Sequence, residues 1–199
     1  AHVSYEHMRI WYDNHATYIH DFPISIDLDS LKAMVREERV IEHTNTLEEI
    51  IGDRQVILRV DRIDPSKNIV RGFQAYQELL TLHPEYQEKV IFLAMLVPSR
   101  RGIEEYKDYL DKIMAISGQI NADFGSKDWE PVRILVGEDY ERALAAMQLY
   151  DVLLINAIAD GMNLVAKEGP TINMREGVLI LSERAGASLQ LAPGSTIIS

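Results

Sequence analysis

The sequence predicts an α/β fold, in which helices cover both faces of a parallel β-sheet. From residue 54 onward, short apolar runs rich in β-branched residues alternate with longer stretches of helical period. That alternation is typical of parallel sheets, whose strands are buried on both faces. The chain has 199 residues, of which 47% are hydrophobic and 26% are charged, a balance typical of a folded domain that buries a core.

Six runs are strand candidates, because each is short, apolar and bounded by turn residues. They comprise residues 54–60, 89–97, 131–137, 151–158, 177–182 and 195–199. Three stretches between them place apolar side chains on one helical face, and these helix candidates cover residues 69–83, 103–120 and 138–150. Gly72 lowers the helix propensity of the first by about 1 kcal/mol relative to alanine, which does not change the prediction. Right-handed crossovers would give a Rossmann-like layered structure.

The first 53 residues have a different pattern. Two β-rich runs flank Asp13 and Asn14, a pair typical of a hairpin turn, and residues 30–51 predict one or two polar helices. We therefore divide the chain into a connector, residues 1–53, from a preceding domain that is missing here, and a Rossmann-like domain, residues 54–199. Because no helix follows the last strand candidate, we expect this domain to be truncated at its C-terminus.

Composition argues against several classes of function. The formal net charge of −11 is opposite to that of a protein that binds nucleic acid. No apolar run approaches the ~20 residues that cross a bilayer, and no signal-peptide pattern is present, so we expect no membrane partner and a cytoplasmic location. The sequence has no cysteine, and its six histidines lack metal-ligand spacing, so we expect no metal.

Sequence motifs narrow the choice further. There is no Gly-x-Ser-x-Gly elbow, no Gly-x-Gly-x-x-Gly loop and no phosphate-binding P-loop, which argues against serine hydrolases, dinucleotide-dependent oxidoreductases and P-loop nucleotidases. Five aromatic residues have spacings typical of core packing rather than of ligand stacking, namely Trp11, Phe73, Tyr76, Tyr106 and Trp129.

The loop after the first strand candidate contains two cations, Arg62 and Lys67, in a turn that leads into a helix. Ligands of open parallel sheets bind at the carboxyl ends of the strands. A guanidinium, an ammonium and a helix N-terminus together suit a diphosphate. A surface ion pair between Arg62 and Asp61 or Asp64 is the alternative, and spacing alone does not decide between them.

The segment 159–170, after the fourth strand candidate, is a second candidate site. Gly161 allows a tight turn or the close approach of a ligand, and Glu168 is spaced to accept hydrogen bonds from ribose hydroxyls. An ordinary helix start and a solvated carboxylate are the alternatives. The basic loop that contains Arg100 either binds an anion or keeps the surface soluble, and residues 183–187 either border a ligand or begin a helix.

Five segments together resemble, in order and spacing, the C-terminal domain of trehalose-6-phosphate synthases. They are VDRIDPSKNI, MLVPSRRGIEEY, INADFGSKDWEPV, DVLLINAIADGMNLVAKEG and GVLILSERAGA, and the similarity runs from about Phe22 to the chain end. Members of this family are GT-B glycosyltransferases, with the active site between two Rossmann-like halves. The resemblance implies the donor-binding half of an enzyme that transfers glucose from a nucleotide sugar, usually UDP-glucose, to glucose 6-phosphate. It further implies retention of configuration, no cofactor and no required metal, and it allows a homo-oligomer.

The resemblance also implies roles for individual residues. Arg62 and Lys67 match the pair that holds the donor diphosphate, Asp160 matches the carboxylate on the transferred sugar, and these three would carry catalysis. Glu168 matches the ribose-binding glutamate, and Arg100 matches an arginine that reaches the acceptor phosphate. A further run matches the segment whose backbone amides line the sugar and phosphates, namely Gly161, Met162, Asn163, Leu164 and Val165. Cations and amides suit this chemistry, because a nucleotide diphosphate leaves readily once its charge is stabilised.

The chain departs from the commonest family pattern at several positions. Asn68 and Ser25 stand where glycine is usual, Pro65 stands where an aromatic residue often occurs, and Gly169-Pro170 replaces Tyr-Val. Two alternatives therefore stay open: a related glycosyltransferase whose acceptor is glycerol 3-phosphate or a pseudo-sugar phosphate, and a non-catalytic regulatory module that binds sugar nucleotides. We expect the isolated 199-residue chain to be inactive, because the acceptor half would precede it.

Overall fold

A six-stranded parallel sheet forms the centre of the computed structural model, which describes residues 1–100 and 102–199. Its strands are β4 (Gln55–Arg62), β5 (Val90–Val97), β6 (Val132–Val136), β7 (Val152–Ile155), β8 (Val178–Ser182) and β9 (Thr196–Ile198). All six predicted strands are confirmed, and their ends differ from the predicted ends by at most three residues. The reason is that both faces of the sheet are covered, so that each strand is a nearly continuous apolar run.

The strand order is β6-β5-β4-β7-β8-β9, and every neighbouring pair is parallel. The chain moves outward from β4 to β6 and then crosses back to place β7 on the other side of β4. This is the doubly wound order of Rossmann-like folds, in which a crevice opens where the winding reverses. The predicted α/β fold class is confirmed, and the crevice lies between the carboxyl ends of β4 and β7.

Helices lie on both faces of the sheet. They are α1 (Leu28–Met34), α2 (Glu38–Ile51), α3 (Ile69–Leu82), α4 (Glu104–Phe124), α5 (Tyr140–Gln148), α6 (Val165–Ile172) and the short α7 (Ser188–Leu191). Alternate residues of β5 pack on different faces, since Ile91 and Leu93 join a cluster with α2 and α5, whereas Phe92 and Ala94 join one with α3 and α4. The three predicted helices are confirmed, and α4 continues four residues beyond its predicted end.

The N-terminal segment forms a separate antiparallel sheet of β1 (His2–Ser4), β2 (Arg9–Tyr12) and β3 (His15–Tyr18). Asp13 and Asn14 have φ angles of 46° and 60°, so the predicted hairpin is confirmed with both central residues in the left-handed region. Strand β1 was not predicted, because three residues are too few to show an alternating pattern. The prediction that Trp11 packs in a core is wrong, since this side chain is 40% exposed.

Helices α1 and α2, which lie within the residues predicted to be a connector, pack on the parallel sheet. Leu31 of α1 and Leu47 of α2 belong to the same apolar cluster as Val56 and Leu58 of β4. The Asp27 carboxylate caps α1 by accepting hydrogen bonds from the backbone N–H groups of residues 29 and 30. Residues 28–51 therefore contribute side chains to the same apolar core as the parallel sheet. Among the described residues, no helix has the length and apolar character needed to span a membrane.

Candidate functional site

A network of charged and amide side chains crosses the crevice between the carboxyl ends of β4 and β7. Lys67 ends a 3₁₀ turn that follows β4, and Asp160 lies in the loop after β7. The Lys67 Nζ donates a hydrogen bond to Asp160 Oδ2 and lies 3.8 Å from Asp61 Oδ1. The side chains of Lys67 and Asp160 are only 11% and 15% exposed. Two predicted site residues that are 93 positions apart thus form a largely buried ion pair.

The turn that carries Lys67 is held at both ends. Asp64 accepts a 2.9 Å hydrogen bond from the Ser66 backbone N–H. Asn68 and Asn156 bond each other reciprocally, each side-chain amide donating to the other residue's backbone carbonyl, over 3.1 and 3.2 Å. Asn68 has a φ of 59°, a left-handed conformation that glycine adopts freely and asparagine tolerates. Asn68 therefore fills the position where the family resemblance predicts glycine without changing the backbone that the turn needs.

Two buried charges behind Lys67 were not predicted as site residues. Arg59 is completely buried, its Nε lies 3.0 Å from Asp61 Oδ2, and its Nη2 donates to the backbone carbonyl of Lys67 over 3.1 Å and to Asn156 Oδ1. Burial raises the pKa of Asp61 to about 6, although the positive charges of Arg59 and Lys67 lower it. The sequence carries a signal for this pair, since two charges two residues apart in an apolar strand lie on one face.

Arg62 lies at the end of β4 with an exposed side chain. The alternative that it pairs with Asp61 or Asp64 is not observed, since neither carboxylate lies within 4.0 Å of its guanidinium. Asp61 pairs with Arg59 and Lys67 instead, and Asp64 accepts hydrogen bonds from Ser66 and Tyr106. The Arg62 guanidinium is therefore not neutralised by Asp61 or Asp64, and it lies at the same edge of the sheet as Lys67, where it can bind an anion.

The loop after β7 packs against the loop after β8. The backbone N–H groups of Gly186 and Ala187 donate to the carbonyls of Asp160 and Met162 over 3.0 and 2.8 Å. Asn163, with a φ of 67°, donates to Asp160 Oδ2 over 3.0 Å and accepts a hydrogen bond from the first turn of α6. The side chains of Met162 and Val165 pack on the core, and that of Leu164 is partly buried.

Gly161 borders open space. A Cβ atom built on Gly161 would meet no protein atom within 4 Å, and its φ is not in the left-handed region. A cavity of about 600 Å³ adjoins it, between this loop, the loop after β8 and the segment that contains Phe22 and Ile24. The molecule's own packing therefore does not explain a glycine at position 161.

Glu168 and Arg100 are the remaining predicted site residues. Glu168, in α6, is partly buried and accepts a 3.0 Å hydrogen bond from the Tyr140 hydroxyl, a partner that was not predicted. Burial raises the pKa of Glu168, and the Tyr140 hydrogen bond opposes that shift. The Arg100 guanidinium lies 5.4 Å from the ring centre of Tyr106, whose hydroxyl donates to Asp64. Within the part of the chain that the structure describes, no hydrogen bond joins Glu168 or Arg100 to Lys67 or Asp160.

Among the described residues, no three histidine or carboxylate side chains are grouped so that they could hold a metal ion. The polar groups of the crevice are instead ammonium, guanidinium, carboxylate and amide, with backbone N–H groups at the start of α6. Such a set can bind an anion together with a polyhydroxylated group.

A model of glycosyltransferase family 20 sequences matches residues 1–199. The chain belongs to glycosyltransferase family 20. One relative is the bifunctional trehalose-6-phosphate synthase/phosphatase of Thermoproteus tenax, which is 37% identical over 179 residues, covering 88% of this chain. The predicted family resemblance is thereby confirmed.

Solved structures agree with this family assignment. An α,α-trehalose-phosphate synthase (UDP-forming) from Burkholderia xenovorans, in complex with glucose-6-phosphate, superposes with a TM-score of 0.88 at 29% identity over 96% of this chain. A structure from E. coli with bound UDP-2-fluoro glucose superposes with a TM-score of 0.87 at 26% identity over 99% of this chain. The family-20 chain spans 24% of the Thermoproteus tenax protein and 42% and 44% of the two solved chains.

Proposed function

We propose that this chain is the donor-binding half of a trehalose-6-phosphate synthase, which transfers glucose from UDP-glucose to glucose 6-phosphate with retention of configuration. The observation that carries the proposal is the Lys67–Asp160 pair across the β4–β7 crevice, with the exposed Arg62 at the same edge. The two solved relatives support it, since one binds a UDP-sugar analogue and the other binds glucose-6-phosphate.

Arg62 and Lys67 bind the diphosphate of the donor in this proposal. An ammonium has three N–H donors, and the Lys67 ammonium uses one of them on Asp160. It can therefore bind a phosphate oxygen without leaving that carboxylate. Arg62 adds a guanidinium that presents two parallel donors to phosphate. These two charges stabilise the negative charge that grows on the leaving diphosphate, which a bound metal does in other transferases.

Asp160 orients the transferred glucose. Its Oδ2 atom accepts hydrogen bonds from Lys67 and Asn163, so the Oδ1 atom is left for a sugar hydroxyl. The open face of Gly161 lets the sugar approach the backbone, and backbone N–H groups at the start of α6 lie next to it. Glu168 accepts hydrogen bonds from the ribose, and Arg100 reaches the phosphate of the acceptor.

Calorimetric titration of the 199-residue chain with UDP and UDP-glucose tests donor binding. Arg62→Ala removes charge-assisted hydrogen bonds worth about 1.5–3 kcal/mol, so we expect about 10- to 100-fold weaker binding. Arg133→Ala is the matched control. Arg133 lies near the N-terminal end of β6, at the edge of the sheet away from the crevice, and pairs on the surface with Glu130. The proposal is wrong if the wild-type chain binds neither ligand, or if Arg62→Ala and Glu168→Ala both bind like the wild type.

Product analysis of the full-length protein tests the reaction. With UDP-glucose, we expect a product from glucose 6-phosphate and none from glycerol 3-phosphate. Turnover with only another phosphorylated acceptor would assign a different glycosyltransferase reaction. Tight binding of UDP-glucose without turnover on any acceptor would indicate a regulatory module.

A further inference from the structure

A guanidinium lies buried between the parallel sheet and α3, next to the proposed diphosphate site. Arg59 is in the middle of β4 with no solvent exposure. It pairs with Asp61 over 3.0 Å and donates to the backbone carbonyl of Lys67 over 3.1 Å and to the Asn156 side chain. One buried side chain therefore contacts the carboxylate beside Lys67, the backbone of Lys67 and the end of β7.

Charge balance gives this arrangement a function. The cluster contains two carboxylates, Asp61 and Asp160, and two cations, Arg59 and Lys67, so its formal charge is zero when both acids are ionised. Without Arg59, the Lys67 ammonium would face both carboxylates alone, and the cluster would carry one net negative charge. A negative cluster repels a diphosphate, and in a buried site that repulsion is weakly screened.

The fold provides space for this guanidinium. A Cβ atom on Gly72 of α3 would lie 2.7 Å from Arg59 Nη1, so α3 passes directly over the side chain. Glycine in a helix costs about 1 kcal/mol of stability relative to alanine. The close contact with Arg59 explains why a glycine occupies this helical position in spite of that cost. A lysine would not replace Arg59, because one ammonium lacks the planar fork that reaches several partners at fixed angles.

We propose that Arg59 is a positioning residue for donor binding: it neutralises Asp61 and holds the Lys67 backbone, which keeps the Lys67 ammonium beside Asp160 and free to bind a nucleoside diphosphate. The inference deepens the proposed function and depends on it for the identity of the ligand. Arg59 itself does not touch the donor, because it is completely buried.

The first test uses UDP calorimetry at pH 8, above the pKa of about 6 that Asp61 has in the wild type, on Arg59→Met and on the double variant Arg59→Met/Asp61→Asn. We expect Arg59→Met to bind UDP about tenfold more weakly or worse, by analogy with the loss of groups that support metal ligands. The double variant restores a neutral cluster, so we expect it to recover most of the affinity. Equal binding by Arg59→Met and the wild type, or no recovery in the double variant, would overturn the proposal.

A second variant keeps every charge and guards against misfolding of Arg59→Met. Gly72→Ala displaces the guanidinium without removing it, whereas Gly118→Ala in α4 introduces a Cβ into open space and serves as the control. We expect Gly72→Ala to bind UDP several-fold more weakly and Gly118→Ala to bind UDP like the wild type. Wild-type affinity in both variants would show that the position of Arg59 does not matter.

NMR titration of the Asp61 carboxyl carbon separates positioning from mere structural support. The charged and titratable groups around Asp61 are Arg59 in β4, Lys67 in the following turn, Asp160 after β7 and Tyr109 in α4. Displacing Arg59 in Gly72→Ala removes a favourable charge, so the Asp61 midpoint should move upward. An unchanged midpoint would overturn the role assigned to Arg59. If the wild-type chain does not bind UDP, the proposed function fails, and this titration still decides whether Arg59 controls the cluster.

Discussion

Two neighbouring glycines of the site are needed for different reasons. A Cβ atom on Gly186 would overlap the backbone carbonyl of Gly161, so the contact between the loops after β7 and β8 requires glycine there. A Cβ atom on Gly161 would meet nothing within 4 Å. The absence of a side chain at position 161 thus matters only for a ligand that approaches the backbone from the adjoining cavity.

We expect Gly161→Ala to leave the unfolding midpoint nearly unchanged and to weaken UDP-glucose binding about tenfold. Gly186→Ala should instead lower the unfolding free energy by about 1–3 kcal/mol, the usual cost of overpacking. Thermal unfolding and calorimetry on both variants check this. Normal UDP-glucose affinity in Gly161→Ala would mean that no ligand approaches this backbone.

Asp61 makes the stability of the fold depend on pH. Burial raises its pKa to about 6, whereas the pKa of an aspartate in an unfolded chain is about 3.9. Between about pH 4 and pH 6 the folded state therefore holds more protons than the unfolded state, so the contribution of Asp61 to stability falls as the pH rises through this window.

Asp61→Asn removes this contribution. Between pH 4 and pH 6, the slope of unfolding free energy against pH should therefore be more positive for the variant than for the wild type. Above about pH 7, where Asp61 is ionised in both the folded and the unfolded state, the two slopes should agree. Urea denaturation at several pH values measures both slopes, and equal slopes between pH 4 and pH 6 would contradict the raised pKa of Asp61.

Helix α6 uses two adjacent residues in different ways. Lys167 is buried, and its Nζ donates a 2.8 Å hydrogen bond to the backbone carbonyl of Ile24. Glu168 is only partly buried and is bonded to Tyr140 of α5. The first turn of α6 thus anchors the segment before α1 on one side and presents a proposed ribose ligand on the other.

Lys167→Met keeps the apolar stem of the side chain and removes the ammonium that holds Ile24. We expect faster hydrogen exchange in residues 19–27 and little change in global stability, because none of these residues is buried. Hydrogen-exchange mass spectrometry checks this, with Lys112→Met on the exposed face of α4 as the control. Unchanged exchange in residues 19–27 would show that Lys167 does not anchor the segment.

At the scale of the whole molecule, the two sheets differ in how they are packed. The parallel sheet has an apolar cluster on each face, whereas none of residues 1–27 is buried. Trp11, Tyr12 and Tyr18 of the small sheet are 40%, 71% and 62% exposed. A three-stranded sheet is stable by itself only when it has an apolar face to bury, so the core of the described chain is that of the parallel sheet and its helices.

The sequence by itself determined the six strands, three of the helices between them, the family, and the loops that carry the candidate site. It could do so because local hydrophobic periodicity indicates which side chains are buried. The family could be identified because the DGMNLVAKE segment is a specific match within a few consecutive residues. Only the tertiary structure decided that β7 lies beside β4, that Lys67 meets Asp160 there, that Arg62 pairs with neither Asp61 nor Asp64, and that Arg59 is buried against Gly72. Those facts depend on contacts between residues far apart in the chain. Whether a charge is buried, paired or free is set by such neighbours and not by the residues next to it in sequence.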